Sequence, residues 1–440
     1  MNRIPKKSSE LLLNSVGNDY AYAYAVNCSY PNSFRLLNHR QQEILQAVNG
    51  RDDIETIAKI LQIPPDTLEQ FLLMLQKTEL VSFDGFTALR KPPAPKSLNF
   101  WIHTTNACNL GCSYCYISTL NTGKGMTDVV RKQLLYKLLE AVKQKNIRHI
   151  KLRLAGGEPL GQFNAWKVFI PEAKEILGEA GCQFDAGFVT NLTMLDDEII
   201  EFARQHDIGF GVSLDGVEAT HDATRSFRSG CGSFGIVDTN LRKMKAADVR
   251  FSVNTVVTNL NLTGLPELTH YLIALDIPFR YSIVKGENIH AELLEEYLSA
   301  SCAIMQDAIE NGWQFSKRFQ FCDLKPNELG FQTCASGFSG GAIYIDGSFK
   351  YCHVQFDNNN TAAQSIFDDG LDLVDMIASG EHHEDNRSDD CKKCHYRSVC
   401  TSGCPVYRVN GKDPQCSLYH RFIPRYYELQ ARERMWLLRL

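Results

Sequence analysis

The stretch Cys108-Asn109-Leu110-Gly111-Cys112-Ser113-Tyr114-Cys115 sets three cysteines at a C-x3-C-x2-C spacing straight after the apolar run Leu98 to Thr104. Three thiolates this close fit a [4Fe-4S] cluster that leaves one iron open to bind something else, whereas a structural zinc recruits a fourth Cys or His nearby. The run before the loop reads as a strand. Ligands at the C-terminal end of a strand point to a parallel α/β fold, in which chemistry gathers on that rim.

Working outward, helical and strand patterns alternate. Helical Thr127 to Lys145 leads into strand His149 to Leu154, Pro171 to Ala180 into Cys182 to Val189, and Asp196 to His206 into Gly209 to Leu214. Gly235 to Ala247 leads into Arg250 to Val257, and Leu262 to Leu275 into Pro278 to Val284. Repeated βα units with right-handed crossovers predict a parallel sheet, doubly wound or curled into a full or partial barrel. The strand ends carry Ala155-Gly156-Gly157-Glu158-Pro159, Thr190-Asn191, Ser213-Leu214-Asp215-Gly216 and the neighbourhood of Asn254 and Thr258. Gly156 and Gly157 let backbone approach a ligand, and Glu158 suits an ammonium group; alone, Gly-Gly-Glu reads equally as a turn.

The chain has 440 residues, enough for two or three domains, with 44 % hydrophobic and 22 % charged residues and a formal net charge of −5. That balance gives no electrostatic reason for a nucleic-acid or anionic-membrane partner. No apolar stretch is long enough for a membrane helix, and the basic start Met1 to Lys7 lacks an apolar region after it, so a cytoplasmic protein is expected. Fifteen cysteines in such a chain read as metal ligands rather than disulfides.

Before the central run, Tyr20 to Val26 alternates with period two and Ser33 to Leu37 reads as its hairpin partner. Helical patterns follow over His39 to Val48, Asp53 to Leu61 and Asp66 to Lys77, then a short strand over Leu80 to Phe83. Lys91-Pro92-Pro93-Ala94-Pro95-Lys96 is a stiff linker. Towards the C-terminus stand Cys334, Cys352, Cys391, Cys394, Cys400, Cys404 and Cys416. Cys391, Cys394, Cys400 and Cys404 alone suit one zinc. A zinc-binding winged-helix regulator is therefore the reading from a different class, and iron and sulfide analysis separates the two.

In combination, the cysteine loop, Gly-Gly-Glu-Pro, and Ser-Leu-Asp-Gly followed by His221-Asp222 and Arg225 resemble radical S-adenosylmethionine (radical SAM) enzymes, from about Asn99 to Val284. The seven late cysteines, with Gly347 before Cys352, resemble the SPASM extension of that family. The first ninety residues resemble the winged-helix-like recognition element of enzymes that modify ribosomally made peptides (RiPPs). The resemblance implies a partial (β/α)6 TIM-like barrel over 98–320, a leader-recognition domain over 1–90, a linker over 91–97 and an iron-sulfur domain over 321–440.

It also implies site residues and chemistry. Cys108, Cys112 and Cys115 would ligate the reducing cluster, whose open iron S-adenosylmethionine chelates. Tyr114 would lie against adenine, Gly156, Gly157 and Glu158 would meet the methionine ammonium, and Asn191, Ser213 and Arg225 the ribose or carboxylate. Of two auxiliary [4Fe-4S] clusters, the first would take Cys334, Cys352 and Cys404, with Cys322 as the candidate fourth ligand, and the second Cys391, Cys394, Cys400 and Cys416. Sulfatase-maturing members carry an acidic base where this chain has His353, a group able to accept a proton at neutral pH. The expected function is oxidative maturation of a precursor peptide through a 5′-deoxyadenosyl radical, closing a carbon-carbon or thioether crosslink. The partners implied are the precursor peptide with its leader and an electron donor such as flavodoxin or ferredoxin. Formylglycine formation on a sulfatase, and peptide excision or epimerisation, are the alternatives within the class.

Overall fold

The computed structural model describes residues 3–17, 21–30, 32–87, 93–117, 123–328, 330–356, 364–379 and 386–440. Met1, Asn2, Tyr20, Leu89, Lys91 and Pro92, which enter the readings of the N-terminus, first module and linker, lie outside the described residues. Two compact units form. One gathers Met1–Pro92, Leu298–Thr333 and Glu384–Leu440, the other Pro93–Tyr297 and Cys334–His383. This grouping cuts across the linear division 1–90, 91–97, 98–320 and 321–440.

Packing explains the first unit. Tyr24 and Phe34 stack against Tyr427 of the long helix Cys416–Leu438, and the Tyr24 hydroxyl donates to the Pro424 carbonyl at 2.9 Å. Arg397 pairs with Glu10 at 2.7 Å, and Lys325 N donates to Val399 O. The expected hairpin is present as Tyr22–Asn27 against Arg35–Asn38, joined by a third strand, Leu11–Ser15, whose run of leucines conceals any alternation. Helices His39–Ala47, Ile54–Leu61 and Pro65–Gln76 follow, the first two capped by Asn38 and Asp53. Their apolar faces bury Leu37, Leu45, Ile57, Leu68, Leu72 and Leu75 to 1 % exposure or less, each contributing about 1.5–3 kcal/mol. The short strand Val81–Ser82 closes the module by pairing with Lys6–Lys7.

In the second unit six parallel strands pair in chain order: Ser97–His103, His149–Ala155, Gln183–Thr190, Gly209–Ser213, Phe251–Val257 and Phe279–Ile283. Helices connect them, as the alternation predicts. One start differs: the helix read from Pro171 begins at Phe163 and runs through that proline to Glu179. Ala342–Ile343 adds in parallel beside Trp101 and Ile102, bringing Cys334 and Cys352 into this unit.

Alternate residues divide the sheet into two faces. Phe100, Ile102, Ile150, Leu152 and Leu154 are fully buried. The other face carries Trp101, Lys151, Arg153, Gly187, Ser213, Asn254 and Arg280, all with residual exposure. Arg153 and Arg280, on the second and sixth strands, feel each other's charge. On a flat sheet those strands stand roughly 19 Å apart, so the sheet is curled with its polar face inward. This is the partial TIM-like barrel expected. Among the described residues, no helix is long and apolar enough to cross a membrane.

Candidate active site

The loop 108–115 is held at the C-terminal strand ends by backbone. Gly111 N donates to Ser226 O at 2.9 Å, Ser113 N to Thr224 O at 3.0 Å, and Leu110 bridges Phe227. Arg228 Nε donates to Cys108 O. Burial pushes the Cys108 thiol up to about 11, with Glu158, Cys112 and Cys115 adding to the rise. Burial also raises Cys112, against the opposing charge of Arg225. The three sulfurs are thus electrostatic neighbours.

Gly157 N donates to Thr105 O at 2.7 Å and Glu158 N to Ala107 O at 2.8 Å, so Gly-Gly-Glu packs backbone to backbone on the cysteine loop. A Cβ on Gly157 would overlap the Ala107 carbonyl, and one on Gly156, where φ is +142°, would stand 2.5 Å from Thr105 O. The glycines therefore serve loop-to-loop contact as well as any ligand. Glu158 is buried, and burial raises its carboxyl. Its oxygens already accept from Leu160 N at 3.0 Å, Thr190 Oγ1 at 2.6 Å and Asn191 N at 2.7 Å, tying second strand to third.

Asn191 donates from Nδ2 to Asn109 Oδ1 at 3.0 Å and lies 3.8 Å from Cys108 Sγ. Tyr114, expected against adenine, donates its hydroxyl to Asp215 Oδ2 at 2.5 Å and accepts from Arg225. Arg225 stands 3.6 Å from Asp215, and Asp215 Oδ1 accepts from Val256 N. His221 accepts from Asp215 N at Nδ1, so its Nε2 faces Ser233 Oγ at 3.0 Å as a donor, and burial pushes its pKa down to about 3. Ser213 is half-buried at its strand's end.

Cys108, Cys112, Cys115, Tyr114, Gly156, Gly157, Glu158, Asn191, Ser213 and Arg225 thus all lie on the strand-end rim. Asp215, Thr190 and Thr224 also belong to the rim's polar network; Asp215 lay in plain view in Ser-Leu-Asp-Gly.

His353, the candidate base, stacks on Trp101 at 4.0 Å between ring centroids, with Tyr116 at 5.3 Å, and its Nδ1 lies 3.7 Å from Cys352 Sγ. Burial, then His103 and Arg153, pushes its pKa down to about 3, so the imidazole is neutral at pH 7.

In the first unit, Cys391 lies within the short helix Asp389–Lys393 and Cys394 caps its end, Cys400 ends Arg397–Cys400, and Cys416 begins the long helix. Burial pushes Cys400 up to about 12, with Asp413, Cys416 and Cys394 adding; Cys391 and Cys394 likewise raise Cys416. These four thiols form one electrostatic group. Cys322 is buried beside the Tyr419 hydroxyl at a φ of +47°. In the barrel unit Cys334 is exposed and Cys352 half-buried, after the turn at Gly347. Among the described residues the fifteen cysteines form no disulfide.

The donor set fits clusters. Thiols gather in two groups, Cys108, Cys112 and Cys115 on the rim and Cys391, Cys394, Cys400 and Cys416 in the other unit, the soft donors that iron-sulfur clusters take.

Comparison with known proteins agrees. Residues 102–272 match the Radical SAM superfamily. An uncharacterised protein of Methanocaldococcus jannaschii is 32 % identical over 176 residues, 40 % of this chain and 58 % of that protein, so the match spans little more than half its length. The cysteine-type anaerobic sulfatase-maturating enzyme of Clostridium perfringens is 21 % identical over 71 % of this chain and 90 % of its own. Streptococcus suis SuiB, solved bound to precursor peptide SuiA, has a TM-score of 0.53 at 16 % identity, covering 94 % of this chain and 99 % of that one. From the cysteine loop outward, residues 102–272 are a radical SAM domain, and with it come S-adenosylmethionine and a [4Fe-4S] cluster as cofactors.

Proposed function

We propose that this chain matures a ribosomally made precursor peptide, binding a leader segment on its first ninety residues and closing an intramolecular carbon-carbon or thioether crosslink in the remainder. The observation that carries the reading is a hairpin and three-helix module on the same chain as the radical SAM domain. Likeness to a peptide-bound maturase over 94 % of the chain supports it, since the sulfatase-maturating relative matches 71 %. When bound, the cluster and S-adenosylmethionine supply hydrogen-atom abstraction.

The chain's own residues do the rest. Cys108, Cys112 and Cys115 hold the cluster, and Arg225, braced by Tyr114 and Asp215, sets a positive charge beside Cys112. Cys391, Cys394, Cys400 and Cys416 hold one auxiliary cluster, and Cys334 and Cys352 contribute to another. A flavodoxin or ferredoxin serves as reductant. His353 stands where sulfatase-maturing enzymes carry an acidic base, which weighs against formylglycine formation.

Co-expression with the short peptide of a neighbouring reading frame tests this. A product lighter by two hydrogens, with its leader still attached, is expected. Backbone scission, or inversion at an α carbon without mass change, would move the assignment to excision or epimerisation. A peptide unaltered in mass and stereochemistry would sink it.

A further inference from the structure

Arg153 occupies the centre of the barrel's inner face, in register with Trp101 on one side and Gly187 on the other. It is exposed into the barrel, and among the described residues it has neither a hydrogen bond nor a carboxylate partner. The charges it feels are Arg280 from across the barrel and the Cys334 thiol, and it acts in turn on His353 and Lys151.

The nearby acid does not relieve this. Asp185, also on the inner face, is bound to His149 Nε2 at 2.8 Å. Beside Arg153, Gly187 pairs with Gly209, so neither position adds a side chain, and the Arg250 guanidinium lies over Gly209. Trp101 Nε1 is a buried donor without a partner. Arg153 and Arg280 therefore bring two cations together on the inner face, and a carboxylate is the planar, two-oxygen group a guanidinium binds in fork geometry.

We propose that Arg153 anchors a carboxylate of the substrate, so that the peptide taken into the barrel carries an Asp or Glu side chain near the residue that is modified. This rests on the peptide-maturation reading above and narrows its substrate to acidic core peptides. The guanidinium makes two charge-assisted hydrogen bonds to the incoming carboxylate, and Arg280 adds attraction.

The probes are capped pentapeptides Gly-Gly-X-Gly-Gly with X as Glu, Gln or Lys, titrated calorimetrically into the reconstituted, S-adenosylmethionine-loaded protein. The Glu peptide is expected to bind about tenfold or more tighter than the Gln peptide. The preference should vanish in Arg153→Gln and survive in part in Arg153→Lys. If Arg153→Gln fails to fold, the order of the three peptides on the wild type still decides. Gln or Lys peptides binding as tightly as Glu would overturn the carboxylate anchor while leaving peptide maturation standing. So would a preference that persists in Arg153→Gln, or a shift in auxiliary-cluster potential with peptide preference unchanged, which would assign Arg153 to the Cys334 thiolate. Absence of binding by every peptide also overturns it. Failure of the maturation reading shows separately, as an unaltered co-expressed precursor.

Discussion

Tyr114 donates its hydroxyl to Asp215 Oδ2 at 2.5 Å, and Arg225 donates to that same hydroxyl, so a residue of the cysteine loop bridges a buried cation and anion at the fourth strand's end. Tyr114→Phe keeps the ring and removes the bridge. The reconstituted protein should lose about 1–3 kcal/mol of stability, read as a lower denaturant midpoint at equal iron content. A midpoint equal to wild type would mean that only the ring matters.

Gly157 has no space for a methyl group, because the Ala107 carbonyl occupies it and is backbone. Gly157→Ala should therefore cost about 3 kcal/mol or more and reduce iron retained on the cysteine loop. Gly178, inside the helix Phe163–Glu179, has nothing within 4 Å of its missing Cβ. Gly178→Ala should stabilise by about 0.5–1 kcal/mol. The pair, compared by thermal melts and iron assay, separates close packing from general intolerance of the domain.

The barrel was legible because period-two and helical patterns alternate without a break from Leu98 to Val284, and each strand end carried its own polar marker. Pro171 misled because proline is favoured at a helix start, yet packing of Trp166, Phe169 and Ile170 carries the helix through it. Leu11–Ser15 was missed because three consecutive leucines show no alternation. Its place beside Gly156 and Gly157 gave Glu158 to a ligand, and the family resemblance gave Tyr114; their contacts with Thr190, Asn191, Asp215 and Arg225 join residues 32 to 111 positions apart, which no local pattern encodes. The joining of the N-terminal module with Glu384–Leu440 is hidden for the same reason.

Buried His221 links stability to pH. Its folded pKa is pushed down to about 3, against about 6.5 in an unfolded chain. Above pH 6.5 neither state binds the proton and the contribution is intact. Between 6.5 and 3 the unfolded chain alone takes it up, so stability falls with pH by about 1.4 kcal/mol per unit. His103, pushed down to about 4 by burial, adds the same slope between 6.5 and 4. Denaturation at pH 7.5, 6.5 and 5.5 should show stability flat, then falling. His221→Gln should lower the curve yet make the acid limb shallower; an acid limb as steep as wild type would place the titration elsewhere.

Removing residues 1–90 takes away Tyr24 and Phe34, the aromatic neighbours of Tyr427, and the Glu10 partner of Arg397. The truncated chain should therefore aggregate or melt earlier, so loss of peptide binding in it would be no test of leader recognition. Point substitutions on the edge strand Leu11–Ser15, such as Ser15→Pro, whose N–H faces away from the paired strand while Val16 N bonds inward to Tyr22 O, are the cleaner probe. They should weaken leader binding while the melting temperature of the barrel unit holds. A truncation as stable as the full chain would contradict the packing argument.

Cys394 and Cys416 raise the pKa of Cys400, and Cys391 and Cys394 that of Cys416, whereas Cys108, Cys112 and Cys115 form a separate group in the other unit. Two groups in different units should load independently. Replacing Cys391, Cys394, Cys400 and Cys416 by Ala should lower iron by about four per chain, with sulfide falling equally, and leave cleavage of S-adenosylmethionine to 5′-deoxyadenosine measurable. Replacing Cys108, Cys112 and Cys115 by Ala should lower iron by a similar amount and abolish that cleavage. The contrast reads each group by its own signal. Loss of about one zinc, with no sulfide, from the first variant would return the C-terminal group to a structural ion, and cleavage persisting in the second would remove the cysteine loop from the chemistry.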